Sequence, residues 1–578
     1  MRSAGAFAPQ ILLMVIICLA GEAASAQDTQ PQYRRKSISF VNSILITRGN
    51  APITAADSSF FLRAIQREIE MPRFDYNPLS EEVLTQLGFA LQQESAENLE
   101  GIAADMNQHL APEILRIVDY EKDMRALGLL SESERHSFIV EKAKETGITA
   151  EHLQAVMNSA YIGLPVITHL SFSEGTSILD IFSSKGEREN RHISVSLGGA
   201  LLWFAVRTDG DGTRVELAAT KAAMAFGAAH LGASSNPGKR SAAQHRAFAE
   251  AADILAVNLK TASQEIPDFR LTHPLTDAGA GWIEFTLGRK EGLNIDDKYI
   301  ILEYQELPDE SLQPTELGLV RISRVAKNLN EPKPSRARTV IGRSFQKGML
   351  AIEHPRLPID LSVRFNVLPV SVKAGSLDSG ADGYAPELKF DQASENLVYI
   401  GQLGLYYNLA RSTGISQFFA SVYGEIGGSE LAGGKVFNEY DLPAGFYWGI
   451  GGGLAKKYYW NRLHLGLEAL LGYASLRFDG ADEYYGNEVG WEWRIESLGF
   501  AMNGCLELAL GYDLSLGGGL SYRIFAPQQD YVFQVDGQEV APIVPENKPE
   551  VDFSGWGIQV YLTYSLPSLS LNPLKYLF

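Results

Sequence analysis

Leu361, Val363, Phe365 and Val367 alternate with Ser362, Arg364 and Asn366, one apolar residue for every polar one. The same period of two returns at Leu463, Leu465, Leu467, Ala469 and Leu471, with His464, Gly466 and Glu468 between them. It recurs in 498–510, opposite Asn503, Cys505 and Glu507, and again in 514–523 and 558–565. A period of two marks a strand with one apolar face and one polar or small face. Eight strands are predicted, over 361–372, 397–410, 416–427, 444–459, 462–478, 494–510, 514–525 and 553–566. The connections alternate long and short. The long ones are 373–396, 428–443, 479–493 and 526–552, and the short ones are 411–415, 460–461 and 511–513. An even number of strands, with tight turns at one end and long loops at the other, predicts an antiparallel eight-stranded transmembrane β-barrel. Hydrocarbon offers no partner to backbone N–H and C=O, so strands can cross it only when every edge is paired. Each predicted strand exceeds the roughly 9–11 residues that a tilted crossing needs.

A barrel of eight strands has a bore that side chains fill. The polar phase of the alternation places Arg364, Gln402, Glu425, His464, Glu468, Glu507, Arg523 and Gln559 inside it. Buried charges in so narrow a space must pair. The expectation is therefore an ion-pair plug, ahead of a gated or proton-conducting lumen. Tyr406, Tyr407, Tyr447, Trp448, Tyr458, Tyr459, Trp460, Tyr473, Trp491, Trp493, Tyr522 and Trp556 fall near predicted strand ends, where interfacial girdles sit. Gly449 to Gly453 lies inside a strand and predicts close packing or curvature rather than a phosphate loop, which must open a helix. Over about 360–578 the chain resembles small outer-membrane barrels of the OmpA-like type. The resemblance is one of architecture, and it implies an outer-membrane location with residues 27–355 in the periplasm, beside the tight turns.

The region before the barrel reads as mixed. Ile38 to Thr47 predicts a strand and Asp57 to Ile69 a helix capped by Asp57 or Ser58. Helices follow over 81–91, 99–106, 112–127, 132–146 and 150–159. Strands are expected over 162–170 and 192–206, and 215–223 continues as a strand or opens a helix. Residues 242–264 form an amphipathic helix with Phe248, Ala252, Leu255 and Leu259 on one face. Residues 27–270 thus predict an α+β domain, and 271–355 a small β module with strands around Trp282–Leu302, at 318–325 and at 338–341. Gly288, Gly292, Leu293, Asp297 and Gly318 match the hairpin pattern of small β-barrel modules in bacterial envelope proteins, such as the one near the C-terminus of the flagellar protein FlgT. Asp296 stands where that pattern has Gly. By fold-level analogy the domain before it resembles envelope domains of the TolB or CsgG type.

The first 26 residues predict a secretory signal peptide: Arg2, the apolar run Ile11 to Ala20, and the small-x-small site Ala24-Ser25-Ala26. Ten apolar residues are too few for a spanning helix. Cleavage removes Cys18 and leaves Cys505 alone, so no disulfide scaffold is expected. The formal net charge of -19 argues against general affinity for nucleic acid, which needs a concentrated basic face.

Chemistry is sparse. There is no HExxH, GxSxG, Walker loop or CxxC. Asp209-Gly-Asp-Gly-Thr213 starts like a calcium loop but has Thr220 where the bidentate Glu belongs, and predicts a hairpin turn. Residues 232–238 read as a turn segment. No catalytic residue, cofactor or metal is expected. The chain is expected to be an outer-membrane structural or interaction protein, not an enzyme. Its partners would be outer-membrane lipid and an envelope assembly serving secretion, motility or the cell surface. A narrow pore or export accessory is the alternative, with a tethered periplasmic enzyme behind it.

Overall fold

The computed structural model describes residues 36–47, 51–69, 73–76, 81–91, 98–109, 161–176, 191–209, 212–231, 236–306, 312–328, 333–377, 387–436, 440–484, 487–526, 530–535, 538–540 and 548–567. The expected signal segment and the helices predicted over 112–127, 132–146 and 150–159 lie outside these residues.

The first body is a mixed sheet. Its strands are β1 (Lys36–Phe40), β2 (Leu45–Ile46), β3 (Phe74–Tyr76), β4 (Tyr161–Thr176), β5 (Arg191–Asp209) and β6 (Gly212–His230). β1 runs parallel to β3 and β4, while β4, β5 and β6 form an antiparallel meander. Helices α1 (Ala55–Ile69) and α4 (Pro237–Gln264) cover one face through Phe61, Ile65, Phe248 and Leu255. Helices α2 (Glu81–Leu91) and α3 (99–109) cover the other through Leu87, Ile102 and Met106. The predicted strand 38–47 is broken in two. Phe40 pairs with Gly163 and Leu45 with Val166, so the chain takes five steps where its partner takes three, and Asn42 and Ser43 bow outward. Residues 215–223 are strand, and β5 and β6 stay paired up to Asp209 and Gly212. The end of the segment read as a turn instead opens α4. Asn236 caps it by accepting from the Gly238 N–H, and Pro237 supplies the first helical position. α4 rests so closely on β6 that a Cβ at Gly227 would lie 2.2 Å from the Ala247 carbonyl oxygen. The outer edge of β6 is blunted rather than left open. Asn107 bonds both backbone groups of Val215, Asn258 takes the Met224 carbonyl, and Glu250 accepts from Ala228 N–H.

The second body holds β7 (Thr272–Pro274), β8 (Asp277–Gly279), β9 (Trp282–Phe285), β10 (Lys298–Glu306), β11 (Leu312–Arg324), β12 (Ser335–Ile341) and β13 (Leu350–Glu353). They pair in the order β7-β13-β10-β11-β12-β9-β8 around Ile283, Phe285, Tyr299, Ile301, Val320 and Ile322.

The third is a ring-like antiparallel sheet. Its long strands are β14 (Ile359–Val372), β15 (Ser394–Asn408), β16 (Phe418–Ser429), β17 (Gly445–Trp460), β18 (Leu463–Tyr484), β19 (Asn487–Ala509), β20 (Leu514–Phe525) and β21 (Gly555–Ser565). Each pairs with the next, and β21 returns to β14, which closes the circuit. The ring is uneven. β18 and β19 are its longest members and pair out to Tyr484 and Asn487, so most of the connection expected as a loop over 479–493 is a continued hairpin. Residues Asp530–Val535 pair onto β19 beyond the rim. Within two other long connections, Gly375–Leu377, Leu388–Phe390, Gly434–Val436 and Tyr440–Asp441 form a separate four-stranded sheet. The hairpin persists because its alternation does. Leu476, Phe478, Trp491, Trp493 and Ile495 continue the inward phase and close over Val370, Leu377, Phe390 and Phe553 as an apolar cap. Trp491 and Trp493, expected in a surface girdle, are therefore buried, and so are Tyr406 and Tyr447.

Candidate functional site

The outer face of the ring is apolar on every strand. Phe365, Leu403, Val422, Leu454, Leu467, Met502, Leu520 and Ile558, one from each, are all exposed, Ile558 by 63% of its surface. Soluble monomers rarely carry contiguous apolar patches beyond a few hundred Å², and this one runs round the ring, with members on all eight strands. Aromatic side chains mark both ends of the belt. Tyr407, Tyr458 and Trp460 stand at the tight-turn end, and Phe446 and Trp556 at the other, with Trp460 80% exposed.

The inner face is polar in three tiers below the apolar cap. All eight residues assigned to the bore by alternation are buried. In the middle tier, Arg364 donates to Glu468 (Nη1 to Oε2, 2.8 Å), to Gln559 and to the Tyr406 hydroxyl, while Asn503 also donates to Glu468. The Arg364 guanidinium lies 4.5 Å from the centre of the Tyr561 ring. Gln559 donates in turn to Cys505 Sγ, and Asn366 to Gln402. The tier towards the cap pairs Arg523 with Glu425 at 2.6 and 3.0 Å, and the Tyr447 hydroxyl donates to the same carboxylate at 3.0 Å. The tier nearest the tight turns sets Lys457 2.8 Å from Glu507, with His464 3.8 Å from that carboxylate and edge-on to Tyr459. The eight thus fall into separate groups rather than one cluster. Lys457, Tyr406, Tyr447 and Asn503 complete them; the alternation sets Asn503 on the polar face with Glu507, and the other three were not assigned to the bore from sequence. Lys457 was legible there, because it continues the inward phase of Gly449, Gly451 and Gly453. A Cβ at Gly451 would lie 2.4 Å from the Tyr423 hydroxyl, so that glycine makes room for a ring spanning the bore.

The small β module sits across the tight-turn mouth. Asp296 accepts from Asn408 (2.9 Å), Ser416 (2.6 Å) and the Gln417 N–H (2.6 Å), and Arg411 reaches Asp297, which fastens the turn after β15. Asn461, in the turn after β17, approaches Gly281. Asp513, in the turn after β19, accepts from Lys298 (3.0 Å), His354 (3.0 Å) and Arg356 (2.7 Å). Leu319, Val340 and Ile341 pack on Ala509, Tyr459 and Tyr512, and Arg321 lies over the Tyr459 ring. Asp296 holds φ at 71°, a left-handed backbone that favours glycine. Its three acceptor bonds explain why a carboxylate stands where the module pattern has Gly. The first body is tied on in turn by Arg73, whose Nη2 donates to Glu353 at 2.8 Å. Among the described residues no group of three or more His, Cys, Asp or Glu is placed to hold a metal.

Burial would push the Asp513 carboxyl up, but Lys298, His354 and Arg356 together hold it well below the usual carboxylate range. Burial pushes the His354 imidazole below its ordinary value, against the opposing pull of Asp513. The free imidazole then binds a proton at a pH where the docked one does not, so docking weakens as pH falls below about 6.5. Asp513 stays charged through that range. Hydrogen exchange in β10 and β11 at pH 7 and pH 5 should show lower protection at pH 5, and His354→Gln should flatten that difference.

No protein-family model matches this chain, and neither does any curated protein. Among solved structures it is similar to neisserial surface protein A, at 9% identity over 36% of this chain and 97% of the other, with a TM-score of 0.20. A major outer membrane protein of Thermus thermophilus gives 14%, 36%, 98% and 0.22, and the outer membrane protease OmpT of Escherichia coli gives 10%, 36%, 97% and 0.19.

Proposed function

We propose that the ring is an eight-stranded outer-membrane β-barrel that serves as an anchor, and that it carries the two N-terminal bodies on its periplasmic side as an interaction platform for an envelope assembly. The observation that carries this reading is an inverted surface: apolar outside, filled with paired charges inside. Arg364–Glu468, Arg523–Glu425 and Lys457–Glu507 are stacked along the bore as buried ion pairs, and the module stands across one mouth. No helix among the described residues is long and apolar enough to cross a membrane. The tight turns and the N-terminal bodies share one end, which supports a periplasmic placement for both.

Insertion tests the anchor. The refolded full chain should enter phosphatidylcholine liposomes and become protease-protected over the ring. Leu467→Arg or Leu520→Arg, in mid-belt, should cost about 2–4 kcal/mol of that insertion, while Trp460→Arg at the rim should cost about 0–1. Equal costs at both heights would remove the membrane reading. In planar bilayers the protein should give no steady conductance, and large constant openings would favour the narrow-pore alternative.

A further inference from the structure

Below the apolar belt, the module and the turn after β17 bring a basic and aromatic patch together at one height. β9 and β12 place Arg338 opposite Trp282, and the Thr339 N–H bonds the carbonyl of Gly281, which meets Asn461 of that turn. Trp460 and Arg462 flank Asn461, both exposed, and Arg338 is exposed and within electrostatic reach of Lys456. Arg336 stacks on Trp282 at 4.2 Å, and Lys456 lies 4.5 Å from the centre of the Tyr458 ring. Glu284 takes up Arg324 and Arg336 at 3.8 and 4.0 Å. Arg338 and Arg462 have no carboxylate partner among the described residues. The chain as a whole carries a formal net charge of -19, so two unpaired arginines at this height run against its average.

We propose that this patch binds the headgroup of an anionic phospholipid in the leaflet facing the module. The inference rests on the anchor reading, which sets the patch at the boundary between hydrocarbon and water. Three features fit that occupant. The patch is continuous with the belt, so a bound lipid can lay its chains on Leu454 and Leu465 while its phosphate reaches the cations. Trp460 and Tyr458 are the amphipathic rings that seat at headgroup level. Arg338 and Arg462 present donor forks suited to a phosphate. A soluble anion would use the cations but gain nothing from the aromatic pair or the belt.

The test is lipid retention by the detergent-purified full chain in native mass spectrometry, with equal amounts of dioleoylphosphatidylglycerol and dioleoylphosphatidylcholine. Each cation near a charged membrane surface is worth about 1 kcal/mol, so two predict roughly ten- to thirtyfold preferential retention of phosphatidylglycerol. Arg338→Gln/Arg462→Gln should reduce the preference to near unity. Both positions are exposed, and unchanged circular dichroism would show the variant folded. Lys373→Gln/Lys389→Gln at the opposite rim should leave the preference intact. Equal retention of the two lipids by the wild type would overturn the proposal, as would a preference that survives loss of both arginines. Preference abolished by excess inorganic phosphate would also overturn it, by making this a free-anion site. Insertion into phosphatidylcholine liposomes reports on the anchor alone, so a chain that inserts yet shows no lipid preference fails only here.

Discussion

Arg364→Met should destabilise the ring by about 3–5 kcal/mol, because it strands a charged carboxylate in the bore. Glu468 is 6% exposed and receives both nitrogens of the Arg364 fork. After the substitution the Asn503 amide, at 2.8 Å, and the neighbouring Tyr406 hydroxyl are the neutral groups left to face it. Gln559 and the Tyr406 hydroxyl lose a partner as well. The cost therefore comes from what is left unpaired, not from the worth of the pair itself. That distinction makes a second result predictable. Arg364→Met/Glu468→Leu removes both charges, and should recover most of the loss or exceed the wild type, as buried pairs replaced by packed apolar side chains often do. The measurement is urea unfolding in micelles followed by tryptophan fluorescence, read as a double-mutant cycle. If the double variant is as unstable as the single, the pair does not act as an isolated unit and the tiers are coupled through shared packing.

Alternation marks out the ring strands and puts the eight polar residues on a face that is buried, because a strand has only two faces and the chain keeps its phase for ten residues or more. It could not tell which medium each face meets once the strand leaves the belt. Trp491 and Trp493 continue the inward phase past the rim, yet a Trp near a strand end suits a membrane interface as well as a core. Their burial depends on Phe390 and Phe553, far away in sequence. Tyr406 and Tyr447 illustrate the same ambiguity: they stand in phase with inward Gln402 and Gly449, but residue type suggested a girdle. The break in 38–47 was invisible because Asn42 and Ser43 bow out against a partner more than a hundred residues away. The module's docking was the least legible of all. Asp296 showed only as a departure from a glycine pattern, and Asp513 as an ordinary turn aspartate. Their meaning lies in the groups they meet, which local spacing does not encode.

Those two aspartates should separate on mutation. Asp513→Ala removes one acceptor from three cationic or protonatable donors at once. Lys298 is 7% exposed and would be left as a buried ammonium facing the Tyr512 carbonyl alone, with His354 and Arg356 also released. The expected loss of docking is about 3–5 kcal/mol, the range for breaking a buried charge network from one side. Asp296→Gly also deletes three bonds, but two come from uncharged side chains and one from a backbone N–H. It also relieves the left-handed backbone at φ 71°, which offsets part of the loss. Its net cost should be about 1–2 kcal/mol. Hydrogen exchange in β10, β11 and β12 reads docking, and exchange in β14 to β21 serves as the internal reference. Asp513→Ala should expose the module strands and leave the ring protected, with Asp296→Gly between it and the wild type. Should Asp513→Ala leave module protection unchanged, Leu319, Val340 and Ile341 against Ala509 and Tyr459 would be what holds the module to the mouth. The carboxylates would then set its orientation without securing it. Should Asp296→Gly prove the costlier change, the turn after β15 is the principal attachment, and the cation cluster around Asp513 serves the fold of its own turn.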